Sequence, residues 1–478
     1  MNRRLVCFYI TLTGLLLGCQ QTKLQFTEVE PARLPTFSAP SLAPKLATSR
    51  DNNLNRNKAQ VYILSSGHQL HRLPGGLSNL SQLHLVAVSA HQPFNNLDIL
   101  IKALNEKVLW LAKKQKLNCI NSLSISASMH SISLSLRCAP SELQQATKLL
   151  ADLWSPGSFD NLDLAKVRRE LAIGKHMDAF SGNEIESMWA DKILSENHPY
   201  TKALNNQAQQ QALDLTTLKQ LQQQVLSQSQ WHLIIEDNRP IDADDRASLA
   251  QALQPLNNVF PTQKRPTPSF SPYGKTLYII DAPGTVQIQV RVGYRLPLTV
   301  DTQLACQALS GWLGRSFSGR LYYDLREQRG LTYGIYGRCF DNPLARVLKF
   351  YGSTQLRHSG AFIRGIIDHL ELAQTSMATP QEVYALNTYF QSQFDLMHDN
   401  RNQRLQRYIQ LIVKQHSWQQ LTQQQTALAH LDANQLNNMA KQVFSQPPVI
   451  VLRGDLAKIS IDLQQKLPEW NIKTVTME

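Results

Sequence analysis

The sequence has no run near the roughly 18–20 consecutive apolar residues that a membrane-spanning helix requires, which excludes a polytopic membrane protein. It also lacks any block of about five like charges. Its formal net charge of +12 is therefore spread as a mildly basic surface, and no nucleic-acid partner is expected. Glycine is too scarce, at 21 residues, for a collagen-like repeat, and 42% hydrophobic residues are too many for wholesale disorder. There is no Gly-x-x-x-x-Gly-Lys and no dinucleotide fingerprint after a strand, so no nucleotide cofactor is expected. A chain of 478 residues then has room for two to four domains of about 100–200 residues each.

At the N-terminus Arg3 and Arg4 precede an apolar stretch from Leu5 to Leu17, which is too short to span a bilayer but suits the core of an export signal. The stretch ends in Leu16-Leu17-Gly18-Cys19, which resembles the lipobox of bacterial lipoproteins. The resemblance implies a signal over 1–18, a lipid anchor on Cys19, and a flexible tether over 19–58 that carries Pro31, Pro35, Pro40 and Pro44. Gln20, standing where an Asp would retain the protein at the inner membrane, implies the outer membrane of the bacterial envelope, facing the periplasm.

Four cysteines remain for an oxidising compartment: Cys119, Cys138, Cys306 and Cys339. Residues 119–138 alternate. With Ser128 and Met129 as a two-residue turn, Cys119, Leu123 and Ile125 share an apolar face with Leu134, Leu136 and Cys138, and the serines share the other. This register predicts a half-buried hairpin with a Cys119–Cys138 disulfide across it. Pairing of Cys306 with Cys339 stays open.

The chain reads as an internal repeat. Val61–Leu64 corresponds to Leu277–Ile280, Leu83–Ser89 to Val286–Tyr294, and the helix 97–113 to the helix 302–313. Leu233–Asp237 and Val449–Asp455 close the two halves. Pro255, Pro261, Pro266, Pro268 and Pro272 mark a linker between them. The expected organisation is a first half over 59–238, a linker over 239–273, a second half over 274–456 and a tail over 457–478. The fold class is α+β: two homologous halves, each a mixed sheet with helices packed on it, facing each other across a chamber.

In the second half the run Gly314-Arg315-Ser316-Phe317-Ser318-Gly319-Arg320-Leu321 continues through Tyr322-Tyr323-Asp324-Leu325-Arg326-Glu327-Gln328-Arg329-Gly330-Leu331-Thr332-Tyr333. It resembles the insulinase (pitrilysin) family of zinc peptidases, which includes the mitochondrial processing peptidases. Ala282 to Gln287, Leu296-Pro297 and, more weakly, His198-Pro199-Tyr200 resemble it too. Read locally, Ser318 caps a helix, Leu321 and Leu325 share its buried face, and Gly330 ends it. The resemblance implies that Arg326 and Tyr333 hold an extended peptide at the scissile bond. A guanidinium and a phenol are suitable donors to a peptide carbonyl.

Active members of that family carry His-x-x-Glu-His on the first helix, with two zinc-binding histidines flanking the Glu that activates water. Here the matching residues are Ala103-Leu104-Asn105-Glu106-Lys107. Glu106 keeps a vestigial base position, but alanine offers no ligand atom and a lysine ammonium repels a cation. Glu106 is expected to pair with Lys102 on its own helix. Glu170 stands where the later ligand would fall, on a shorter spacing than the family's, and whether it is that ligand's relic stays open. His68 and His71, beside the turn at Gly75-Gly76, and His84 and His91, flanking a strand, read as scattered, solvated residues that build no metal site. The chain is thus expected to hold no metal or cofactor and to cleave nothing alone, with zinc on a paralogous partner subunit. Two rivals are a lipid-anchored scaffold and an active zinc endopeptidase with an unrecognised site.

Overall fold

The computed structural model describes residues 59–75, 79–114, 117–155, 159–181, 184–208, 213–257, 274–315, 318–399 and 401–475. The export signal, Cys19 and the tether lie outside the described residues, as does most of the expected linker. No described helix is long and apolar enough to cross a membrane.

Two six-stranded mixed sheets organise the described chain. The first contains β1 (Gln60–Ile63), β2 (Gln69–Leu73), β3 (Ser81–Val88), β4 (Ser124–Ser128), β5 (Ser131–Cys138) and β6 (Gln230–Glu236), in the order β1-β2-β6-β3-β5-β4. The second contains β7 (Thr276–Asp281), β8 (Gln287–Leu296), β9 (Thr332–Asn342), β10 (Ala345–Gln355), β11 (Val449–Gly454) and β12 (Asn471–Val475), in the order β12-β7-β11-β8-β10-β9. Leu233 pairs with Leu70 in parallel and with Leu85 in antiparallel, and Leu452 does the same with Ile279 and Val290. All six side chains are buried in the core of their own half. The two halves are therefore one fold twice.

The register moves the phase of the repeat. β2, and not the 61–64 strand, is the counterpart of β7, because both lie parallel to the closing strand of their half. The counterpart of β1 by sheet position is β12, which lies inside the expected tail. The helix Leu456–Lys466 in that tail also buries Ile459 and Leu463. The expected linker likewise begins with structure. Helix Ala243–Ala252, capped by Asp242, places Leu249 and Ala250 in the first core.

The 119–138 hairpin also shifts. Ser128 pairs with Ser131, so Met129 and His130 form the turn, two residues on in the pairing sum from the expected register. A slip of two preserves which side faces the core, so the apolar and serine faces survive. Cys119 is not in the strand but precedes a short 3₁₀ turn, Ile120–Ser122. It is nevertheless bonded to Cys138, with the Cα atoms 5.0 Å apart. Cys306 and Cys339 are bonded as well, tying helix Val300–Gly314 to β9.

Each sheet carries its own half's helices on one face and one helix of the other half on the opposite face. Helix Arg401–Lys414 repeats Leu405, Ile409 and Val413 every four residues, and this stripe packs on Val86, Val88 and Ile234 of the first sheet. Reciprocally, helix Glu184–Leu194 lays Ile185, Trp189 and Ile193 on Val347, Val449 and Val451 of the second. Glu186 of that helix accepts from Arg291 at 2.7 Å and Lys349 at 2.8 Å, and Glu184 accepts from Arg453. Burial alone would raise the Glu186 carboxyl, but Lys349 and Arg291 override it and hold it below the usual range. The exchange fixes one half on the other through apolar area closed by buried charge pairs.

Candidate functional site

Arg326 and Tyr333 meet at the outer edge of the second sheet. The segment Tyr323–Gln328 is π-helical, with Arg329 N–H donating to the Asp324 carbonyl, and Gly330 ends it at φ +61°. Asp324 is gripped by His369 Nε2 at 2.8 Å and by Arg329 at 2.9 Å, which pins this wide turn. Ser318 does not cap it; the Ser318 hydroxyl instead accepts from Arg315 Nε at 2.7 Å. The Arg326 guanidinium donates to the hydroxyl of Tyr322, a residue only 1% exposed, and lies 4.8 Å from that ring's centroid. It lies equally close, 4.8 Å, to the Tyr333 ring.

Tyr333 reaches this position through a bulge. β9 pairs Gly334 with Ser353 and Thr332 with Thr354, so Tyr333 is the unpaired extra residue. It is 83% exposed on an edge strand whose next core residue, Ile335, is fully buried. The result is a guanidinium clamped between two phenols, with one of them offered to solvent. The family resemblance located Arg326 and Tyr333. It gave no sign of Tyr322, whose position one helical turn before Arg326 was the available signal.

In the first half, helix Leu97–Lys114 lies beside helix Leu164–Ser181. Glu106 does not pair with Lys102. It accepts from Lys166 of the neighbouring helix, while Lys102 reaches across to Glu170 at 3.5 Å. The hydrogen bond from Glu106 holds the Lys166 ammonium above its ordinary range. Ala103 is fully buried, and the Lys107 ammonium sits 4.4 Å from the Trp110 ring centroid. Two carboxylates from two helices do converge, but each already holds a lysine. This donor set does not suit zinc, which wants histidine nitrogen or thiolate sulfur. Among the described residues one further group, Cys119, Cys138 and Glu142, has metal-like spacing. Its sulfurs are spent in a disulfide and offer no thiolate.

The histidines depart from the expected solvated loops. His71 lies within β2 and His84 within β3, and both are buried, as are His68 and His232. His71 Nε2 is 3.0 Å from His232 Nδ1, and His71 Nδ1 is 2.8 Å from the Tyr408 hydroxyl of the other half's helix. Burial pushes His71 down to about 4 and His232 to about 3. His198-Pro199-Tyr200 also lies at the seam: the Tyr200 hydroxyl is 2.6 Å from His130 Nε2 and accepts from the Leu344 N–H at 3.1 Å.

Residues 215–388 match the sequence profile of the peptidase M16 inactive domain. Over that span the chain is similar to the M16 inactive domain. The matched span encloses Arg326 and Tyr333, and M16 is the insulinase family whose wording the 314–333 run resembles. Solved structures share the fold across most of the chain. The M16 inactive domain from Pseudomonas fluorescens is 15% identical with a TM-score of 0.66, covering 83% of this chain and 98% of that one. A protease from Helicobacter pylori is 16% identical at 0.65, covering 83% and 99%. A chain of complex III2 from Candida albicans is 14% identical at 0.61, covering 86% and 99%. No curated protein matches the sequence. The chain thus has both halves of the fold and sets Arg326 against Tyr333, while lysines occupy the carboxylates of its first helix pair.

Proposed function

We propose that this M16 homologue is the substrate-holding subunit of a zinc-peptidase pair, anchored through Cys19 in the bacterial envelope and facing the periplasm. The observation that carries the reading is the asymmetry between its halves. In the first half Lys166 and Lys102 neutralise Glu106 and Glu170, where a metal would need bare ligands. In the second, Arg326 is clamped in place and Tyr333 is presented to solvent. A donor pair so fixed is preorganised for a peptide carbonyl, which supplies positioning and oxyanion stabilisation without bond-making chemistry of its own. Zinc would then sit on a paralogous chain with His-x-x-Glu-His, and the substrate would be an extended peptide. The similarity to an inactive peptidase domain, and the shared fold with a chain of complex III2, support an assembled state.

The test is co-purification of tagged full chain from detergent-solubilised envelopes. Stoichiometric recovery of a zinc-bearing M16 paralogue is the expected result. Recovery of the chain alone, or with envelope proteins unrelated to peptidases, would favour the scaffold reading. Zinc-dependent hydrolysis by the chain alone would favour an active peptidase.

A further inference from the structure

Away from the Arg–Tyr pair, a cavity of about 260 Å³ opens between helix Val300–Gly314, β9 and the helices that follow it. Arg315, Arg338 and Arg407 line it together with Tyr389, Phe390 and Gln425, and none of its lining residues is Asp or Glu. Two guanidiniums, of Arg315 and Arg407, on a wall without an acid are hard to explain structurally. The Arg407 Nε–H is buried with no acceptor among the described residues. One carboxylate acts on Arg407, that of Asp341, and it is already engaged by Arg346 at 2.9 Å, Lys414 at 2.7 Å and Gln303 at 2.6 Å. Arg338 pairs with Lys349 across β9 and β10, so its side chain points to the Lys349–Glu186 face of the sheet, away from the cavity that Cys339 faces. Arg315 is fixed by Ser318 and by the Ala385 carbonyl at 2.8 Å, and its guanidinium lies 5.1 Å from the Tyr389 ring centroid. Burial pulls the Arg315 and Arg407 guanidiniums below their usual range, and the shared Asp341 offsets this only in part at Arg407.

The walls are rigid. The Cys306–Cys339 disulfide joins the helix to the strand at the cavity, and Gly314 packs directly against Gly337, where a Cβ would lie 2.2 Å from the Gly337 nitrogen. Tyr389 and Phe390, with ring centroids 5.3 Å apart, supply an apolar side opposite the charge. The volume is near the small end of ligand pockets, which begin at about 300 Å³.

We propose that this cavity binds a small aromatic anion, its carboxylate or phosphate held by Arg407 and Arg315 and its ring against Tyr389 and Phe390. Guanidinium forks suit such groups by geometry as well as charge. The site is independent of peptide holding at Arg326 and Tyr333.

Calorimetric titration of the purified full chain tests it with three probes: phenyl phosphate, inorganic phosphate and benzyl alcohol. Phenyl phosphate is expected to bind more tightly than either of the others. Arg407→Gln is expected to weaken it on the order of tenfold or more, since it removes a charged donor. Arg407→Gln should unfold no earlier than wild type without the probe, because it deletes a buried charge that lacks a full partner. Tyr389→Leu, at a partly exposed position, is expected to abolish the preference for phenyl phosphate over inorganic phosphate and carries the test if the other variant does not fold. Equal binding of phenyl phosphate and benzyl alcohol, or undiminished binding in the folded variants, would overturn the assignment. Equal binding of the two phosphates would overturn its aromatic half.

Discussion

Acidification should loosen the seam between the halves well before carboxylates titrate, and His71 with His232 should be the cause. His71 is 4% exposed, wedged between His232 and the Tyr408 hydroxyl of the crossing helix, with His68 nearby. In the folded chain it titrates at about 4, against 6.5 when unfolded. Its folded value is depressed, so above pH 6.5 both states are neutral and its contribution is whole. As pH falls from 6.5 towards 4 the unfolded state takes up the proton first, and stability is lost. Each unit of pH in that window costs about 1.4 kcal/mol per histidine, or about 2 kcal/mol from His71 by pH 5. His232, at about 3, adds a loss of the same order. Glu186 and Asp341 act in the opposite range: their folded values are lowered, so their contribution is present above the usual carboxylate range and fades only below it. Urea unfolding at pH 7.5, 6.5 and 5.5 should therefore show a falling midpoint in wild type. His71→Gln, which keeps a polar partner for Tyr408 but cannot take a proton, should flatten the slope by about 1.4 kcal/mol per unit. His198, depressed to about 4 by burial and Arg295, stays in the variant, so some slope will remain. An unchanged slope in His71→Gln would refute the reasoning.

Glu186→Ala should destabilise by about 1–3 kcal/mol, because Arg291 and the buried Lys349 lose their shared acceptor at the seam while solvent reaching the 38% exposed Glu186 side chain screens the pair; chemical denaturation reads this, and a loss below about 0.5 kcal/mol would contradict it. Replacing Cys119 and Cys138 with Ser should cost roughly 3 kcal/mol on chain-entropy grounds for a loop of sequence separation 19, and peptide mapping of envelope protein that found both thiols free would contradict the bond. Labelling with a fatty-acid analogue should mark wild type and spare Cys19→Ser; equal labelling would remove the proposed anchor.

Local periodicity made much of each half legible. Helix Leu97–Lys114 and the turn at Gly330 lie where the sequence puts them, because amphipathic spacing and a left-handed glycine are local signals. The misplaced features depend on distant chain. β2 and not β1 matches β7, since the choice is made by parallel pairing of Leu70 with Leu233, far along the sequence. Glu106 found Lys166 instead of Lys102 because two helices stack, which no helical wheel records. His71 looked like a loop residue, and His84 like a solvated residue at a strand end, until strand pairing and a crossing helix buried that face. At the candidate site, the spacing from Arg326 to Tyr333 was readable. The bulge that exposes Tyr333 was not, because it is defined against Ser353 and Thr354 on the partner strand.

The central claim is that this M16 homologue contributes a donor pair to cleavage that another chain performs. Tyr333→Phe removes one hydroxyl from a residue 83% exposed, so stability should change by no more than about 0.5 kcal/mol. The measurement is peptide hydrolysis by the reconstituted pair, with assembly monitored by size-exclusion chromatography. The predicted result is a fall in turnover of about 10²–10³ with assembly unchanged, the usual loss of one oxyanion donor. Full activity in the assembled mutant pair would contradict it.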